Sequence, residues 1–217
     1  FNGDYAGFAQ IALEEKYPNM TALFMMGCGG DINPEPRGRP ELAQQHGTSL
    51  AASVNHALKG PLHPVRGPLT TRLERIDLPY MVPPTESELE NRQDDGDIYD
   101  QRLTKRLLKI LRSGKSLPTS YPYPVQVMQF GNDLSLVALG GETVVDYALR
   151  LERELTGNHI WIAGYSNEVF AYIPSERVLT EGGYEGGLAM KYFGIHGPFQ
   201  SGLETRIIDL VKKLLDQ

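Results

Sequence analysis

A single cysteine, Cys28, rules out an intrachain disulfide and any metal site built from a cysteine cluster. No apolar run approaches the roughly 20 residues that a helix needs to span a bilayer. Positive charge is also scarce. The chain has 21 Lys and Arg against 27 Asp and Glu, a net charge of -6. Such a surface repels a phosphate backbone, so no nucleic-acid partner is expected. Ready-made catalytic patterns are missing too. The five histidines, His46, His56, His63, His159 and His196, show no HxH or HExxH spacing, and each reads as a surface or capping residue. There is no GxSxG elbow. The glycine loop at Gly27-Cys28-Gly29-Gly30-Asp31-Ile32-Asn33 lacks the lysine and hydroxyl of a P-loop.

What is present is the composition of a folded domain with a sizeable core: 217 residues, 41% hydrophobic and 22% charged. The 23 glycines and 15 prolines point to many loops. Phe1-Asn2-Gly3-Asp4 has neither the basic nor the apolar stretch of a signal peptide. Either a leader has been removed upstream or this is the later part of a longer protein.

Asp4 is a good N-cap for a helix over Tyr5–Lys16, which Tyr17-Pro18-Asn19 ends. Thr21–Met26 is a short continuous apolar run and reads as an interior strand. A helix is expected from Pro40 to Leu58, closed by Gly60. Leu69–Leu78 alternates as a strand, and the polar, acidic Pro83–Tyr99 reads as a surface insertion or lid. A basic amphipathic helix follows at Ile98–Leu111, its cations forming a solvated face. The proline-rich Ser116–Pro124 reads as a loop. Val125–Phe130, the turn Gly131-Asn132 and Leu134–Leu139 make a strong hairpin. A helix is expected over Thr143–Leu155, a strand over His159–Gly164, an irregular segment over Tyr165–Gly197 and a last helix over Phe199–Leu215. The fold class is α/β, with a mixed sheet flanked by helices.

Three places share one layout, in which an apolar strand ends, glycines follow and polar residues appear. They are Met26 into Gly27–Asn33, Leu139 into Gly140-Gly141-Glu142, and Ile162 into Gly164-Tyr165-Ser166-Asn167. Ligands of α/β folds collect at strand carboxyl ends, where glycine lets backbone N–H groups come close. Each residue also has a plainer reading. Gly29 and Gly30 can serve a tight turn and Asp31 can cap it. Glu142 can answer the dipole of the helix that follows, and Tyr172 and Tyr184 can be packing residues.

Taken in order, these segments resemble the neutral/alkaline, non-lysosomal ceramidase family over the second half of its catalytic domain. Asn2–Ala9 is similar to the family's SGDNKGYA-type helix entry, and Gly29–Pro34 to its AGDVSPN loop. Leu136–Glu142 is similar to its LVALPGE segment, Ala163–Asn167 to its AGLAN-type segment, and Ala171-Tyr172-Ile173 to its YV step. Tyr184-Glu185-Gly186-Gly187 resembles its YEGAS segment, with the same twelve-residue step from Tyr172. The resemblance implies a zinc amidase that cleaves the N-acyl bond of ceramide or a related N-acylated substrate. It places two of four zinc ligands at Glu142 and Tyr172, and an oxyanion donor at Tyr184. The Gly29-Gly30-Asp31 loop, with Asn33, would line the substrate pocket.

Asn33 stands where the family has a serine. It can donate hydrogen bonds but cannot act as a nucleophile. A non-catalytic or binding homologue therefore stays open, as does a metal-dependent amidase or esterase for a non-lipid substrate. The family's two zinc histidines lie upstream of the SGDNKGYA segment. The expectation is thus a C-terminal portion of one catalytic domain, without the family's immunoglobulin-like domain, completed by an upstream segment of its own protein.

Overall fold

Hydrophobic periodicity accounts for most of the elements seen in the computed structural model, which describes residues 2–155 and 159–216. In chain order they are α1 (Asp4–Lys16), α2 (Pro40–Ala57), β1 (Leu69–Pro79), α3 (Glu86–Asn91), α4 (Ile98–Arg112), β2 (Ser120–Phe130) and β3 (Leu134–Leu139). Then come β4 (Glu142–Thr143), α5 (Asp146–Glu154), β5 (Ile160–Ala163), β6 (Tyr172–Ile173), α6 (Glu176–Glu181) and α7 (Gly183–Gly186). A 3₁₀ helix (Leu188–Phe193) and α8 (Leu203–Leu215) complete the chain. This is an α/β fold with a mixed sheet. The chain divides into two compact units, one running up to Met26 and resuming at Ile32–Val65, the other made of Gly27–Asp31 and the chain from Arg66 onward.

The smaller unit is a pair of helices. Gly47 of α2 lies where a Cβ would sit 2.5 Å from the Cβ of Phe8 and 2.6 Å from the Tyr5 carbonyl, so glycine lets α1 and α2 pack closely. Ala9, Leu13 and Ala51 are buried between them. Thr21–Met26 belongs to no strand, contrary to its apolar pattern. Its backbone is tied to α1 instead. Gln10 Nε2 donates to the Ala22 carbonyl at 2.7 Å, and the Ala22 N–H donates to Glu14 at 3.0 Å. Leu23 is left 89% exposed.

The larger unit is built on the sheet β1-β2-β3-β5. The hairpin stands as its sequence reads, with Val127 opposite Val137, and β5 lies parallel to β3. The β2 strand starts at Ser120, so Pro122 and Pro124 lie inside a strand rather than a loop. They fit because β3 reaches only to the partner of Val125, leaving that stretch of β2 paired to β1 alone. The α8 helix lays Ile207, Ile208, Val211 and Leu214 into the core with Val125, Val137 and Leu139 of the sheet and Tyr147 and Leu151 of α5. The acidic insertion holds α3, closed by a capping box between Thr85 and Glu88.

Two expectations follow from this packing. Burial pushes the Cys28 thiol up to about 12. At pH 8 it should therefore be silent to a disulfide-exchange reagent until denaturant is added, since the thiolate is the reactive form. Glu154 joins α5 to α8 and α5 to itself, receiving Lys212 Nζ at 2.6 Å and Arg150 Nε at 2.7 Å. These bonds hold its carboxyl down at about 2 against an ordinary 4.5. A depressed folded value means stability that is present above pH 4.5 and lost as the pH falls toward 2. The melting-temperature gap between wild type and Glu154→Gln should close over that window.

Candidate active site

The chain turns sharply after β3. Gly141 has φ +71°, and a Cβ there would meet Ile173 Cγ1 at 2.7 Å and the Ala171 carbonyl at 2.8 Å, so only glycine fits. Its N–H donates to the Glu168 carbonyl at 2.7 Å, and the Glu142 N–H to the Ala171 carbonyl at 2.8 Å. The result is a parallel pair, β4 with β6, in which Glu142 stands opposite Tyr172 and Thr143 opposite Ile173. Opposite residues of a ladder project to one side, so the carboxylate and the phenol meet.

The α5 helix begins at Asp146, four residues after Glu142, so Glu142 does not cap it. That task falls to Asp31, whose Oδ1 accepts from the Val145 N–H at 2.8 Å. The Gly29-Gly30-Asp31 loop is thus fastened directly beneath β4. The Gly30 N–H donates to the Thr143 carbonyl at 2.9 Å, and a Cβ on Gly30 would stand 2.5 Å from the Glu142 carbonyl oxygen.

The Glu142 carboxylate is free to receive phenols. It accepts from the Tyr165 hydroxyl at 3.3 Å, and its ladder partner Tyr172 stands beside it. Burial raises the Tyr172 phenol well above its ordinary value, and the neighbouring Glu142 carboxylate adds to the shift. The Tyr184 ring stands edge-on to Tyr172, with centroids 5.3 Å apart at 74°. Asn33 belongs to the smaller unit, where it lines a cavity of about 330 Å³ with Asn2, Asp4, Arg37 and His46. Among the described residues no three of His, Cys, Asp and Glu cluster as a metal cage. What Glu142 and Tyr172 offer a cation is two adjacent oxygen donors of the hard kind that zinc accepts beside nitrogen.

Tyr165 was not singled out from the sequence. The signal was there, since it follows the third glycine-ended strand. It sits at φ +53°, with Asn167 at +64°, a conformation that costs a side-chain-bearing residue energy and that gathers at functional sites. Its N–H donates to the Gly141 carbonyl at 2.9 Å, which sets the phenol over Glu142.

No protein-family model matches the sequence, and no curated protein matches it. Solved structures do match in shape, two of them ceramidases. Neutral ceramidase from Pseudomonas aeruginosa superposes with a TM-score of 0.63 at 16% identity, over 97% of this chain and 40% of that one. A ceramidase complexed with C2 superposes with a TM-score of 0.65 at 15% identity, over 97% and 41%. The chain thus spans about two fifths of the length of either. Over that length it has the α/β fold of a partial ceramidase-like domain.

Proposed function

We propose that this chain carries part of the active site of a zinc-dependent hydrolase that cleaves an N-acyl amide, ceramide or a related substrate. The observation that supports it most is the register of β4 on β6, which seats Glu142 against Tyr172. These two residues would hold zinc, with two imidazoles supplied by a segment of the same polypeptide outside these 217 residues. When bound, zinc lowers the pKa of a water ligand to about 7 and polarises a carbonyl.

The protein groups then have separate tasks. Glu142 and Tyr172 fix the ligand geometry, and Tyr165 orients the Glu142 carboxylate by its hydroxyl. Tyr184, edge-on to Tyr172, would donate its hydroxyl to the oxyanion as charge develops. Gly29-Gly30-Asp31 would line the pocket while holding β4 in place.

The reading is tested by assaying short- and long-chain N-acyl amides with the zinc-loaded full-length protein. Turnover lost to a chelator and restored by zinc is the expected result, and turnover indifferent to the chelator would contradict it. Tyr165→Phe should weaken zinc binding about tenfold, the usual cost of losing an outer hydrogen bond to a metal ligand. A second reading is a binding homologue without turnover, favoured by Asn33 in the place of a serine. It predicts zinc and amide binding with no product.

A further inference from the structure

The outer face of α4 stands apart in an acidic chain. At 100° per residue, Ile98, Tyr99, Arg102, Lys105, Arg106 and Lys109 share an arc of about 120°, opposite the buried Thr104, Leu107 and Leu108. All six are exposed. The acids at the helix start do not answer these cations. Asp97 and Asp100 cap the helix and receive Lys191 Nζ at 2.8 Å each. At the other end Arg112 is taken by Glu86 and Glu90. Among the described residues, Arg102, Lys105, Arg106 and Lys109 form no ion pair. The protein therefore holds four uncompensated cations on one stripe, against a net charge of -6.

An apolar ledge adjoins the stripe. The Tyr99 ring, with Arg102 over it at 6.0 Å, meets Tyr192 at 4.9 Å, and Tyr192 meets Tyr184 at 6.0 Å. Each of the three tyrosines is 47% exposed, and Ile98 and Leu188 are exposed at 53% and 66%. A merely solvated face would explain the cations but not these five uncovered apolar side chains beside them. A nucleic acid would likewise leave Ile98 and Leu188 without a partner. Cations over tyrosines and aliphatic side chains are the composition of an interfacial helix. The charges meet anionic headgroups, the phenols sit at headgroup depth and the aliphatic tips enter the acyl boundary.

We propose that α4 and the ledge of Tyr99, Tyr192, Tyr184 and Leu188 dock the protein on the surface of an anionic lipid bilayer. The ledge runs on through Tyr184 to Tyr172, so docking sets the candidate site at the lipid boundary. The docking itself does not depend on amide hydrolysis, and its test needs neither zinc nor turnover.

The test is co-sedimentation of the protein with vesicles of phosphatidylcholine alone and of an equal mixture with phosphatidylglycerol. Binding to the mixed vesicles only, weakening as salt rises, is the expected result. The exposed double variant Arg102→Glu/Lys109→Glu should lower the partition coefficient roughly tenfold or more. Tyr99→Ser/Tyr192→Ser should lower it with the salt dependence kept. Circular dichroism confirms the fold of each variant. Equal binding to both vesicles, binding to neither, or binding that the charge reversal leaves unchanged would overturn the proposal. So would binding to a short DNA duplex with none to the mixed vesicles.

Discussion

Gly30→Ala should cost about 1–3 kcal/mol of stability, the usual range for an added group in a packed interior. The added methyl has nowhere to go. It would stand 2.5 Å from the Glu142 carbonyl oxygen, 2.9 Å from its carbon and 3.0 Å from the Thr143 carbonyl carbon, and all three are backbone atoms that no rotamer change can move. The Gly30 N–H bond to Thr143 and the Asp31 cap on Val145 would have to stretch together. The variant should therefore shift the Glu142–Tyr172 pair as well as lower the melting temperature. Gly7→Ala is the matched control. It lies inside α1 with nothing within 4 Å of the added carbon, and it should stabilise by about 0.5–1 kcal/mol through helix propensity. Equal effects of opposite sites on chemical denaturation would show that the contact beneath β4 is not tight.

Tyr184→Phe should lower kcat on an N-acyl amide by roughly 10²–10³-fold, the cost of removing one oxyanion donor, with KM little changed. The geometry makes this a clean change. The ring keeps its edge-on contact with Tyr172 and its neighbour Tyr192, and only the hydroxyl goes. A rise in KM at constant kcat would instead make Tyr184 a substrate-binding ring. Equal kinetics would remove it from the site.

The parts of the fold that were legible in the sequence are those where one local pattern decides. The hairpin turned at Gly131-Asn132, the amphipathic α4 and the proline-opened α2 all lie where their periodicity places them. Thr21–Met26 misled because the Ala22 backbone bonds go to Gln10 and Glu14 side chains, which no hydropathy pattern records. The start of β2 was hidden by two prolines that are acceptable only where β3 has already ended. Likewise, α3 rests on a capping box within a stretch read as an acidic surface insertion or lid.

The glycine segments that follow Met26, Leu139 and Ile162 pack against one another, although the first follows no strand. Gly30, Gly141 and Gly164 each lie against backbone from another segment. The pairing itself could not be read locally. Thirty residues separate Glu142 from Tyr172, and both β4 and β6 are two residues long, too short to show a period. Only the family resemblance joined them. The capping role that local context suggested for Glu142 belongs to Asp31, 114 residues away from its partner Val145.

The most direct test of the Glu142–Tyr172 pair is the zinc content of the purified full-length protein beside that of Glu142→Ala, by elemental analysis after dialysis. The expected result is one zinc per wild-type chain and a variant that keeps its fold but loses the metal. Equal metal in both would contradict the assignment of Glu142 as a ligand, and with it the zinc hydrolase.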